Sequence, residues 1–172
     1  MPLKILQYPD PRLKRVAKKV KHFDAAFQKV VDEMFELHYA TPNCAALAAT
    51  QLDMEPAWHV TVIDYSAEKN QPVCLVNAEI VDREGDQIEY EGCMSVFPDV
   101  LHEKVKRSMK IKVKAQDRHG KPLEFEAEGY FAKCVQHELD HLEGLIYLNR
   151  LSNIKLDRIH RKMKQYMRHH KK

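Results

Sequence analysis

The sequence predicts an α+β fold, with strands gathered in the middle of the chain and helices towards both ends. Three observations carry that reading. An apolar stripe with helical spacing follows Asp24, segments with strand-like alternation run from Trp58 to Ala127, and two more helical patterns close the chain. No repeat, low-complexity stretch or interdomain linker interrupts them, and 172 residues suit a single domain, 1–172, with its own core.

The elements follow in order. Tyr8-Pro9-Asp10-Pro11 is hostile to helix and predicts an extended or turn segment. Asp24 is the expected N-cap of a helix reaching about Tyr39, with Phe27, Val30, Val31, Met34, Phe35 and His38 on its buried face. Pro42-Asn43 breaks it. Trp58, Val60 and Val62 alternate with polar partners, and Val73 to Val81 is a second β-rich run. Met109, Ile111, Val113 and Ala115 form a half-buried strand pattern, Asp117 to Gly120 supplies a turn, and Leu123, Phe125 and Ala127 complete a hairpin. A helix is expected from near Gly129 to a stop at Gly144. The last, N-capped by Ser152, carries Leu156, Ile159, Met163 and Tyr166 or Met167 on one face.

Composition narrows the function classes. No apolar run approaches the roughly 20 residues needed to cross a bilayer. The opening MPLKILQYPDP lacks both the apolar run of a signal peptide and the character of a transit peptide, so a cytoplasmic protein is expected. In a reducing compartment the four cysteines are expected to be buried, catalytic or metal-bound. Net charge is only +3, but 155–172, the expected basic C-terminal helix, holds eight Lys or Arg and one acid. That helix suits an anionic partner such as RNA, or is simply a solvated face. A monomer is the default expectation.

The strongest chemical signal is His137-Glu138-Leu139-Asp140-His141. Residues four apart on a helix share a face, so two imidazoles can grip one metal ion while Glu138 reaches its water. A catalytic site usually adds a third protein ligand. One metalloprotease pattern continues to a third histidine, but Tyr147 stands at that position; another uses a downstream glutamate, and none follows Glu143. Asp157 is a carboxylate candidate within the basic tail. Cys93, placed after Gly92 where the backbone can bend closely round an ion, fits better in combination with the helix motif. Asp140 lies off the ligand face and is expected to pair with Arg107 and brace the helix.

Three separated motifs, Leu47-Ala48-Ala49-Thr50-Gln51, Glu91-Gly92-Cys93-Met94-Ser95 and His137 to His141, resemble the peptide deformylase family in order and spacing. The flanking Tyr8-Pro9-Asp10-Pro11-Arg12-Leu13 and Asp117-Arg118-His119-Gly120-Lys121-Pro122 are similar too, and the match covers nearly the whole chain. The resemblance, to a divergent bacterial-type member, implies antiparallel sheets packed around the metal-binding helix. It implies removal of the N-formyl group from formylmethionine at the start of nascent peptides. Carried over residue by residue, Cys93, His137 and His141 bind one divalent metal, with Fe2+ as the native ion and Zn2+, Ni2+ or Co2+ as substitutes. Glu138 is the general acid/base, while the Gln51 side chain and Met94 backbone N–H stabilise the oxyanion. C-terminal helices of the family dock on the ribosome, which gives the basic tail a partner.

Departures from the family cluster around the substrate. Cys44, Ala45 and Ala46 stand where glycine, a hydrophobic residue and glycine are usual, and Tyr130 and Lys133 enter a normally apolar wall. The segment after Val96-Phe97-Pro98 is about two residues longer than usual. Ala45, Ala46, Tyr130 and Lys133 are therefore the expected substrate contacts, and Cys44 is not expected to be a ligand. Three other readings stand beside the first: an amidase of altered acyl or side-chain specificity, a catalytically weak ribosome- or RNA-binding paralogue, and a zinc peptidase.

Overall fold

Asp24 is extended, and its carboxylate accepts a hydrogen bond from Phe27 N at 3.0 Å, which starts helix α1 (Ala25–Ala40) as expected. The computed structural model describes residues 3–169. Five strands follow: β1 (Ala46–Ala48), β2 (Val60–Ile63), β3 (Val73–Glu91), β4 (Glu103–Gln116) and β5 (Pro122–Glu128). Helices α2 (Gly129–Leu142) and α3 (Asn153–His169) complete the α+β architecture. Residues 170–172 of the expected basic helix lie outside the described residues.

The strands form one antiparallel sheet in sequence order, where several sheets were expected. A single sheet suffices because β3 runs for 19 residues, far beyond the Val73 to Val81 stretch that its sequence suggests. Its register against β4 shifts between Val76 and Glu79 and again between Ile80 and Asp82, and such bulges bend and twist a ladder. The β4–β5 hairpin agrees with the sequence pattern, pairing Ile111 with Ala127 and Val113 with Phe125.

Two details differ from the pattern, and α3 settles an open choice. Every residue of β2 is buried, Thr61 included, because its hydroxyl is satisfied by Leu47 O at 2.8 Å; Trp58 precedes the strand. Met109 is partly exposed although Ile111, Val113 and Ala115 are buried. On α3, Met167 faces solvent and Tyr166 packs inward with Ile159 and Met163.

Helix α2 packs against all five strands, and α1 covers β1 and β2. Their apolar faces make the main core, with Val31, Met34, Leu47, Val62, Leu75, Val113, Val135 and Leu142 all fully buried. A second core joins Cys93, Val96, Leu101, Val105, Tyr147 and Leu148 to Ile159 and Met163 of α3. Among the described residues, no helix is long and apolar enough to cross a membrane.

Candidate metal centre

The two cores meet where α2 faces the turn at Cys93. His137 and His141, one helical turn apart, bring their Nε2 atoms to 3.2 Å, and Cys93 Sγ lies 3.3 Å from His141 Nε2. All three ligand atoms fall within 4.8 Å of one another. Tetrahedral coordination with ordinary metal–nitrogen and metal–sulfur bonds requires edges of about 3.3 to 3.6 Å. The donors therefore fit a metal ion without rearranging the backbone. Gly92 lets the turn close beside His102, since a Cβ there would sit 2.6 Å from that ring.

A buried relay orients the triad. His137 Nδ1 meets Glu91 Oε1 at 2.8 Å, which leaves Nε2 free to point at the metal position. Glu91 in turn accepts two hydrogen bonds from Arg107, Nε and Nη2, each 2.9 Å. Arg107 Nη1 reaches Asp140 at 2.5 Å, the expected partnership, and Arg150 adds a second guanidinium to Asp140 at 2.7 Å. Burial alone would raise the Glu91 carboxyl, but Arg107 and His137 hold it down at about 2. Burial pushes His141 well below its usual value, so it is a neutral donor. Burial acts on His137 in the same direction, yet Cys93 and Glu91 overcome it and raise this ring well above its ordinary value. The electrostatics of the cluster thus favour a positive charge between the ligands.

Glu138 is 4% exposed, and among the described residues its Oε2 makes no hydrogen bond. Desolvation raises it to about 7, a value suited to exchanging protons near neutrality. Gln51 is equally buried. Its Oε1 accepts from Ala48 N at 2.9 Å, which turns Nε2 towards Ser95 Oγ at 3.1 Å and Cys93 Sγ at 3.6 Å. Met94 is anchored through its carbonyl, which accepts from Gln7 Nε2 at 2.8 Å.

Above these groups opens a cavity of about 520 Å³. Ala45, Ala46, Gln51, Cys93, Met94, Tyr130, Lys133, His137 and Glu138 all line it, so the structure brings the expected site residues together. Cys44 stays outside it, with its sulfur 3.2 Å from His38 Nδ1 and its thiol pushed up to about 12 by burial. Tyr147 holds no ligand position; its ring stacks beside His137 at 6.2 Å. Sequence reasoning missed Glu91 as the histidine's partner, and Tyr90, Asp99, His102 and Cys134 as cavity lining. Glu91 had one signal, an acidic residue that would point inward beside a ligand cysteine.

Comparison with known proteins agrees with this geometry. The family model for polypeptide deformylase matches residues 2–157. The chain is 64% identical to "Peptide deformylase 1" of Coxiella burnetii over 93% of its own length and 94% of the relative's. A Chromobacterium violaceum peptide deformylase is 48% identical over 95% of each chain. The crystal structure of a peptide deformylase from Legionella pneumophila superposes with a TM-score of 0.86 at 37% identity, covering 98% of both chains. At such identities the chain is not a divergent member, and that part of the sequence-based expectation is corrected.

Proposed function

The chain belongs to the polypeptide deformylase family and is a hydrolase that removes the formyl group from N-formylmethionine peptides; on that premise we propose the role of each site residue. Cys93, His137 and His141 would hold one divalent ion, with Fe2+ as the native metal and Zn2+, Ni2+ or Co2+ as replacements. When bound, such an ion supplies a lowered pKa for water, from about 15.7 to about 7, and a positive field for developing oxyanion charge. Glu138 takes the proton of the water that attacks the formyl carbon. It then returns that proton to the amine nitrogen as the C–N bond breaks. Gln51 Nε2 and the Met94 backbone N–H donate to the former carbonyl oxygen.

Ala45, Ala46, Tyr130 and Lys133 bound the substrate. One catalytic domain of 1–172, a monomer, would act in the cytoplasm on chains leaving the ribosome, with basic α3 as the docking element. The observation that carries the whole reading is buried Glu138, its Oε2 without a hydrogen bond among the described residues, in the same cavity as three converging ligand atoms. The test is formate release from formyl-Met-Ala-Ser by iron-loaded, anaerobically handled protein beside Glu138→Ala. The native protein is expected to release formate, and the variant to keep its metal while losing on the order of 10² to 10⁴ in rate. A variant that retains full turnover would remove Glu138 from the chemistry.

A further inference from the structure

The N-terminal segment ties together the two parts of the chain that carry Gln51 and Met94. Lys4 N donates to Asp53 Oδ1 at 2.7 Å, and Lys4 O accepts from Asp53 N at 3.1 Å. Leu6 N then donates to Gln51 O at 2.7 Å, and Tyr8 N to Ser95 O at 2.6 Å. Gln7 lies between those two bonds. It is exposed, yet its side chain turns back to the protein, where Nε2 donates to Met94 O at 2.8 Å. Backbone bonds on either side fix where that side chain starts, so less freedom is lost in making the contact.

Met94 and Ser95 are the central residues of the turn that Val96 N closes on Cys93 O at 3.0 Å. Ser95 N donates to Cys93 Sγ at 3.4 Å. Both bonds inside the turn therefore end on Cys93, and they leave the Met94 peptide room to tilt about that residue. Gln7 supplies an anchor from outside the turn. Met94 lines the cavity, and among the described residues its N–H meets no protein acceptor. We propose that Gln7 is a positioning residue for the reaction, acting through the Met94 peptide to keep Met94 N–H aimed where the oxyanion forms. Such a donor helps most when it is held in place before the charge develops. Its bond weakens steeply as the donor angle bends, so a small tilt of the peptide is enough to matter.

This inference rests on the deformylase reading, and the experiment separates the two. Gln7→Met keeps the length of the side chain and removes its donor, while Gln7→Lys restores a donor. Formate release from formyl-Met-Ala-Ser is followed across pH for native protein and both variants, with chelator resistance and thermal unfolding measured in parallel. In Q7M, kcat is expected to fall roughly three- to ten-fold at every pH, the worth of one neutral hydrogen bond, with KM and chelator resistance unchanged. The thermal midpoint is expected to stay within about 2 °C, because the position is exposed. Q7K is expected to recover most of the lost kcat. A native kcat in Q7M, a loss confined to KM, or no recovery in Q7K overturns the proposal. So does a shifted pH profile or an earlier loss of metal, either of which would place the effect at Cys93. Each of these overturns the proposal alone, since formate from native protein establishes the activity. No formate from native protein overturns both.

Discussion

Glu91 does for this site what none of its ligands can do for themselves. A histidine on a helix can turn about its side-chain bonds and offer either nitrogen; the hydrogen bond to Glu91 removes that freedom from His137. Glu91→Gln keeps an acceptor for His137 but deprives buried Arg107 of a charge partner, leaving it only Asp140. We expect metal affinity to fall about 10- to 100-fold. Stability is expected to drop by up to about 3–5 kcal/mol, as for other broken buried pairs. Chelator competition and thermal unfolding read the two effects separately, and unchanged chelator resistance would show that the relay does not tune the metal site. Residues of this kind explain which parts of the centre were legible in the sequence. His137, Glu138 and His141 share one helix, so their spacing carries the geometry, and the Gly92-Cys93 pair is local to a turn. The Glu91–Arg107–Asp140 chain joins two strands to α2, and only the Arg107–Asp140 half of it was anticipated.

At the scale of elements, the stop of α2 matters as much as its ligand face. Gly144 adopts φ +81°, closing the helix with a hydrogen bond from its N–H to His141 O at 3.0 Å. A Cβ there would lie 2.5 Å from the backbone oxygen of Lys14, so the N-terminal segment runs directly over the end of the ligand helix. Gly144→Ala therefore combines a left-handed backbone with a clash against main chain, and is expected to cost at least about 2 kcal/mol. A chemical-denaturation midpoint equal to that of the native protein would mean the segment yields freely. The β4–β5 hairpin was readable because half-burial imposes alternation. The outer half of β3 was not: Ile88 and Tyr90 are exposed on either side of Glu89, so the stretch reads as loop. It is held as a strand by its pairing with β4, including Ile88 with Lys106 and Tyr90 with Lys104, which periodicity within one segment cannot reveal.

Across the whole molecule, α3 has two faces with separate tasks. Ile159 and Met163 are buried in the second core beside Cys93 and Val96, and Tyr8 OH lies 3.2 Å from His160 Nε2. Cutting the helix away would thus uncover the support of a candidate metal ligand as well as remove charge. Arg158, Arg161, Lys162 and Arg168 are exposed and form no ion pair among the described residues, so they can be neutralised without touching that support. If α3 docks on ribosomal RNA, binding draws on counterion release and falls steeply with salt. Replacing these four residues by glutamine is expected to weaken co-sedimentation with ribosomes and to lower the salt slope by roughly 0.7 to 0.9 for each cation that meets a phosphate. Turnover of a free formylated tripeptide is expected to stay unchanged, because the catalytic cavity is lined by other residues. Ribosome affinity that survives the fourfold substitution with its salt slope intact would mean that the basic face of α3 only solvates the helix. Loss of tripeptide turnover instead would mean that the outer face of α3 also supports the Cys93 turn.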